Sequence, residues 1–108
     1  MVTIEHSTAI KAELPAGDVH AGMEVFYNPV MASNRNISVL LLNSIENTQM
    51  NICDPLAGSG IRSLRFLKEL KKGKIKQLYV NDMKENFKEV FNDGLKLNKL
   101  KPKNLTLS

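Results

Sequence analysis

Residues 51–108 constrain the fold most, because short apolar segments there alternate with longer amphipathic ones. Residues 51–54 (NICD) read as a buried strand and residues 55–60 (PLAGSG) as a glycine-containing turn. Residues 61–72 read as a helix with Ile61, Leu64, Phe66, Leu67 and Leu70 on its buried side. Lys68, Lys71 and Lys72 suit the negative end of its dipole, and Gly73 is placed to stop it. Residues 76–81 (KQLYVN) predict a second strand. Residues 83–98 predict a second helix with Met83, Phe87, Val90, Phe91 and Leu97 on one face, and residues 105–108 begin a third strand. Such alternation builds an α/β fold on a parallel sheet with right-handed crossovers. A complete doubly wound sheet has more strands, so the expectation is part of a larger α/β protein.

The N-terminal part is less regular. Residues 2–14 alternate loosely and predict one or two short strands, arranged as a hairpin. Pro15, Gly17 and Gly22 mark a loop, and the apolar, aromatic segment 23–29 closes on the turn signal Asn28-Pro29. Residues 34–45 (NRNISVLLLNSI) predict a buried helix capped by Asn34, with Ile37, Leu40, Leu41 and Ile45 inward. A strand over residues 37–42 competes, but capping and spacing agree on the helix. The expected division is a strand-and-loop extension over residues 1–30, then the first half of an α/β domain over residues 31–108.

Composition narrows the function classes. With 43% hydrophobic and 24% charged residues, the chain is neither disordered nor a fibrous repeat. One cysteine, Cys53, cannot form an internal disulfide, and no secretory pattern opens the chain, so a cytoplasmic setting is expected. The longest apolar run, Val39 to Leu42, is far short of the roughly 20 residues that span a bilayer. His6 and His20 stand apart, are expected at the surface, and form no metal-ligand pattern. Fifteen Lys and Arg against 11 acids give a net charge of +4, which permits an RNA partner without requiring one.

In an α/β sheet, ligands bind beyond the carboxyl ends of the strands. Two groups fall there: the turn from Asp54 through Gly58, Ser59 and Gly60, and Asp82 after the next strand. Gly58 and Gly60 remove the β-carbon where a ligand approaches the backbone, and Gly60 opens a helix whose free N–H groups favour electron-rich partners. Asp82 stands near the offset, about 20 residues past the glycines, at which a carboxylate meets a ribose hydroxyl pair. Position 63 is serine rather than the third glycine of a dinucleotide site. That weighs against a nicotinamide cofactor and favours a nucleoside without a pyrophosphate, such as S-adenosylmethionine. Each feature has a plainer alternative: a tight turn, a structural carboxylate at Asp54, or a helix cap at Asp82 with Glu85 three residues on.

Asp54-Pro-Leu-Ala-Gly-Ser-Gly60 resembles the first motif of class I S-adenosylmethionine-dependent methyltransferases. Val25-Phe26-Tyr27-Asn28-Pro29-Val30-Met31 followed by Asn34-Arg35-Asn36 is similar to the N-terminal signature of the tRNA guanine-26 N2-dimethyltransferases. Gly60-Ile61-Arg62, Arg65-Phe66, Val80-Asn81-Asp82 and Leu97-Asn98 continue the match in order. The resemblance implies a Rossmann-like methyltransferase sheet, S-adenosylmethionine as cofactor and tRNA as partner, with no membrane. It implies cofactor contacts from Arg35, by a bidentate pair with the methionine carboxylate, and from Asp54, Gly58, Gly60, Arg62 and Asp82. Phe26 and Asn28 would shape the adjacent substrate site. It also implies a catalytic acidic segment of Asp-Pro-Phe-Gly type past residue 108, so no residue here is assigned a catalytic role. Three rivals stand beside it: a nucleoside-binding remnant without turnover; an NAD-binding Rossmann domain of an oxidoreductase, against which the missing third glycine and the Asp-Pro opening argue; and an RNA-binding face made by Lys68, Lys71, Lys72, Lys74 and Lys76. Phe26 and Tyr27 are also candidate core aromatics, and Arg62 and Arg65 candidate solvent-facing residues.

Overall fold

The structure, a computed structural model, describes residues 2–11 and 27–108. The order is β1 (Val2–Glu5), β2 (Thr8–Lys11), a 3-10 turn (Pro29–Met31), α1 (Ala32–Ser44), β3 (Met50–Asp54), α2 (Ile61–Glu69), β4 (Ile75–Val80), α3 (Phe87–Leu97) and β5 (Leu105–Leu107). Strands β3, β4 and β5 form a parallel sheet in that spatial order, and β1 and β2 form a separate antiparallel hairpin. The alternation read from residues 51–108 is therefore the architecture seen.

The core lies between this sheet and helices α2 and α3. Leu64 and Phe66 of α2, Leu78 and Val80 of β4, and Phe87 and Phe91 of α3 are all buried. Side chains of this size contribute about 1.5–3 kcal/mol each when withdrawn from water. The hairpin adds Ile10 to the same cluster. It is also tied by hydrogen bonds: the Asn98 side-chain amide donates to Ala9 O (2.7 Å), and its oxygen accepts from Ala9 N (2.8 Å). Asn98 thus stands in for a neighbouring strand along β2.

Four expectations need correction. Helix α1 does not bury Ile37, Leu40 and Leu41, which are exposed, Leu40 by 66%. Its inner stripe is Arg35, Ser38, Val39, Leu42 and Asn43, at helical spacing but mixed in polarity. Polar bonding chose the face: Arg35 reaches Glu5, Ser38 accepts from Arg62, and Asn43 reaches the end of α2. Asn34 is not the cap, because the helix begins at Ala32. Asn28 caps the preceding 3-10 turn instead, its side chain accepting from Val30 N at 3.0 Å.

Helix α2 stops at Glu69, before Lys71, Lys72 and Gly73, so of the expected lysines only Lys68 lies in its last turn. The Asn43 amide bridges the break, donating to Glu69 O (3.1 Å) and accepting from Lys71 N (2.9 Å), so it satisfies backbone groups that a helix end leaves open. Helix α3 starts at Phe87 rather than Met83, and Met83 is 89% exposed. Asp82 Oδ1 accepts from Lys84 N (3.0 Å), a local turn that keeps residues 82–86 out of the helix.

Candidate functional site

The carboxyl edge of the sheet is stitched by backbone hydrogen bonds. Asn81 N donates to Asp54 O and Ala57 N to Asn81 O, both at 2.9 Å, so the turn after β3 lies against the exit of β4. The Asp82 carboxylate then crosses to that turn: Oδ2 accepts from Gly58 N at 2.8 Å. Asp82 faces the glycine turn and is not the cap of α3, whose N-cap is Asn86. A carboxylate has about four acceptor positions, and two of those on Asp82 are filled by Gly58 and Lys84. Asp54 closes β3 and accepts from Ser63 Oγ at 2.7 Å. Ser63 is fully buried, so the position where a third glycine was sought holds the turn through a side-chain bond.

The two glycines do different things. Both have left-handed backbone, φ +59° at Gly58 and +80° at Gly60. A β-carbon on Gly58 would meet nothing within 4 Å, whereas one on Gly60 would stand 2.4 Å from Phe91 Cδ1. Gly58 therefore faces open space, and Gly60 lets α3 close on α2 rather than admitting a ligand. Gly94 makes the same kind of room further along α3, its absent β-carbon lying 2.7 Å from Leu64 Cδ1.

Beneath the turn lies a buried charge cluster. Glu5, at the end of β1, accepts from Arg35 Nε (2.9 Å to Oε2) and Nη2 (2.6 Å to Oε1), from Arg65 Nη1 (2.9 Å) and from the Tyr27 hydroxyl (2.6 Å). Arg65 also pairs with Glu69 and donates to Asn36. Burial by itself raises the Glu5 pKa, but hydrogen bonds from Arg35, Tyr27 and Arg65 outweigh it and hold the carboxyl at about 2, against 4.5 for a free one. Burial and the adjacent Glu5 carboxylate push the Tyr27 hydroxyl up. The Tyr27 ring lies 5.1 Å from the Arg35 guanidinium carbon.

A cleft of about 220 Å³ opens above this cluster, lined by Asn28, Arg35, Asp54, Gly58, Arg62 and their neighbours. Arg35 does not offer the bidentate edge expected of it. Its Nε and Nη2 hold Glu5, Nη2 also donates to Asn28 O (2.7 Å), and only Nη1 has no hydrogen-bond partner among the described residues. Arg62 donates to Ser38 Oγ (2.6 Å) and Asn34 Oδ1 (2.7 Å), joining α2 to α1 at the rim. Phe26 lies outside the described residues, as does His20. Tyr27 is a core residue.

Glu5, Ser63, Arg65 and Gly94 were not picked out as site or packing residues from the sequence. Arg65 is 2% exposed, against the solvent-facing expectation. The lysine run is also divided: Lys74 is buried, with Nζ donating to Asn47 O (2.9 Å) and to Ile45 O, while Lys71, Lys72 and Lys76 are exposed. Among the described residues no group of three or more His, Cys, Asp or Glu could hold a metal, and no helix is long and apolar enough to cross a membrane.

The sequence profile of the N2,N2-dimethylguanosine tRNA methyltransferases matches residues 2–107. The chain belongs to this family. It is 40% identical over 80 residues to a tRNA (guanine(26)-N(2))-dimethyltransferase of Methanococcus maripaludis, covering 70% of this chain and 21% of that protein. It is 37% identical over 95 residues to the Methanobrevibacter smithii protein of the same name, covering 84% and 24%. The solved structure of Trm1 from Pyrococcus horikoshii, in complex with S-adenosyl-L-methionine, superposes with a TM-score of 0.70 at 32% identity. That match covers 91% of this chain and 24% of the other. The chain thus spans between a fifth and a quarter of the length of these methyltransferases.

Proposed function

We propose that this chain binds S-adenosylmethionine at the carboxyl edge of β3 and β4 and serves an enzyme that methylates the exocyclic N2 of guanine in tRNA, at the position its relatives' names carry. The Asp82 carboxylate reaching the Gly58 turn beside an open cleft carries the reading. The residues fit such a ligand. Asp82 retains acceptor positions for two ribose hydroxyls, and Gly58 leaves room for the backbone to be approached. The cleft, about 220 Å³, is smaller than the roughly 300 Å³ at which whole-ligand pockets begin, so it takes the amino-acid end and leaves the nucleoside towards Asp82. Arg35 gives the methionine carboxylate one donor, Nη1, and Arg62 adds a second cation at the rim. Asp54 faces the ammonium. Asn28 borders the place where the base would enter, and Gly60 contributes only by fixing the start of α2.

When bound, the sulfonium supplies an electrophilic methyl group that needs no metal. The task of this chain's residues is orientation: fixing the two ends of the ligand so that the methyl points out of the turn. A guanine stacked within tRNA must be turned out to reach it. A cytoplasmic setting belongs to the proposal, since the one cysteine asks for no oxidising compartment.

Calorimetry on the chain with S-adenosylmethionine and, separately, with NAD tests this. Heat is expected with the first only. Asp82→Ala is expected to weaken binding at least tenfold while the folded fraction keeps its melting temperature within a few degrees. Binding of NAD, or an Asp82→Ala protein that melts early yet binds normally, would overturn the reading.

A further inference from the structure

We propose that Glu5 is a positioning residue for the cofactor: it locks Arg35 so that one guanidinium nitrogen is presented to the carboxylate end of the ligand. This rests on the S-adenosylmethionine reading and deepens it. Glu5 is far from the turn in sequence, 30 residues before Arg35 and 60 before Arg65, and enters the site only because the hairpin folds back onto α2. Its carboxylate grips Arg35 side-on through Nε and Nη2, and Asn28 O takes a further bond from Nη2. The plane of the guanidinium is thereby set by three acceptor atoms and the Tyr27 ring. An arginine side chain is among the costliest to order. Here that cost falls on folding, and the ligand meets a donor already in place.

Two features separate this from a purely structural ion pair. Arg65, the other arginine held by Glu5, is absent from the cleft lining, whereas Arg35 is part of it. Glu69 supports Arg65 but makes no contact with Arg35. The same cluster therefore contains an arm that reaches the cleft and an arm that does not.

The probes are S-adenosylmethionine and 5′-methylthioadenosine, which keeps the nucleoside and the methylated sulfur, now a neutral thioether, but lacks the amino-acid end. Glu5→Gln and Glu5→Asp are expected to weaken S-adenosylmethionine about tenfold, the order of freezing one rotamer-rich side chain at the moment of binding. Affinity for 5′-methylthioadenosine is expected to stay within twofold. Glu69→Gln should lower the melting temperature and leave the ratio of the two affinities unchanged. If the Glu5 variants do not fold, Tyr27→Phe is read instead; it removes one hydrogen bond to Glu5, keeps the ring, and should move the ratio about threefold in the same direction. Equal losses for both probes in the folded variants, or an unchanged ratio, would overturn the positioning role while leaving the cofactor reading intact. A wild-type chain that binds neither probe would overturn both.

Discussion

Adding one methyl group at each turn glycine should separate packing from ligand access. Gly60→Ala places a β-carbon 2.4 Å from Phe91 Cδ1 on backbone with φ +80°. A non-glycine residue there costs about 1–2 kcal/mol for the left-handed conformation. Overpacking against a buried ring adds about 1–3 kcal/mol. Phe91 cannot swing away cheaply, because it is fully buried and its ring centroid lies 5.7 Å from that of Phe87. The expected loss is about 4 kcal/mol, much of the stability available to a domain of this size. Gly58→Ala carries the same conformational strain but meets no atom within 4 Å, so about 1–2 kcal/mol is expected.

Urea unfolding followed by circular dichroism measures both changes, and calorimetry with S-adenosylmethionine measures the other consequence. Gly58→Ala should bind distinctly more weakly per folded molecule, because its methyl group projects into the space beside the cleft. Gly60→Ala should bind normally in whatever fraction is folded. A cycle with Phe91→Leu gives an internal check, since the Gly60→Ala penalty should shrink by about 1 kcal/mol when the ring is gone. Gly58→Ala and Gly60→Ala destabilising the chain equally, with no coupling to Phe91, would refute the assignment of Gly60 to helix packing.

Three other outcomes follow from the same structure. The Glu5 carboxyl is lowered from 4.5 to about 2, so its contribution, about 3 kcal/mol, is complete above pH 4.5 and lost as the pH falls towards 2; urea midpoints should decline across that window, and an equally steep decline in Glu5→Gln would refute the cause. Thr8 is fully buried with no partner for its hydroxyl among the described residues, so Thr8→Val should raise stability by about 1 kcal/mol, and a lowered midpoint would show that the hydroxyl is bonded. His6 holds φ +55° in the two-residue hairpin turn, so His6→Gly should gain about 0.5 kcal/mol; a loss in thermal melts would contradict this.

The parallel half of the fold was readable because its signals are local and repeated. Each strand from β3 onwards is short, apolar and followed by a turn residue, and α2 and α3 carry strong one-sided apolar patterns. Their ends were misplaced where side chains from elsewhere intervene. Asn43 closes α2 from 26 residues away in sequence, and Asp82 delays α3 by binding Lys84 N. Helix α1 misled for a related reason. Its apolar residues at 37, 40 and 41 have helical spacing, but the face that packs was chosen by polar partners on the hairpin and α2.

The site shows the same division between local and distant causes. Gly58, Gly60, Asp54 and Asp82 could be selected because a turn and a sheet edge place them whatever else the chain does. The work of each could not, since it depends on what stands opposite: open space at Gly58, the Phe91 ring at Gly60, Ser63 against Asp54. Glu5 gave no signal at all, being one acid in an N-terminal strand, yet it meets two arginines and a tyrosine contributed by three other stretches of chain. Its carboxylate makes the local charge sum small enough for two guanidinium groups to be buried together. The +4 balance of the chain therefore overstates what the cleft presents to an anion. On the S-adenosylmethionine reading proposed above, attraction at this site rests on the direction of one Arg35 nitrogen and on Arg62 at the rim, so a carboxylate placed correctly should be held while a bulkier anion of equal charge is not.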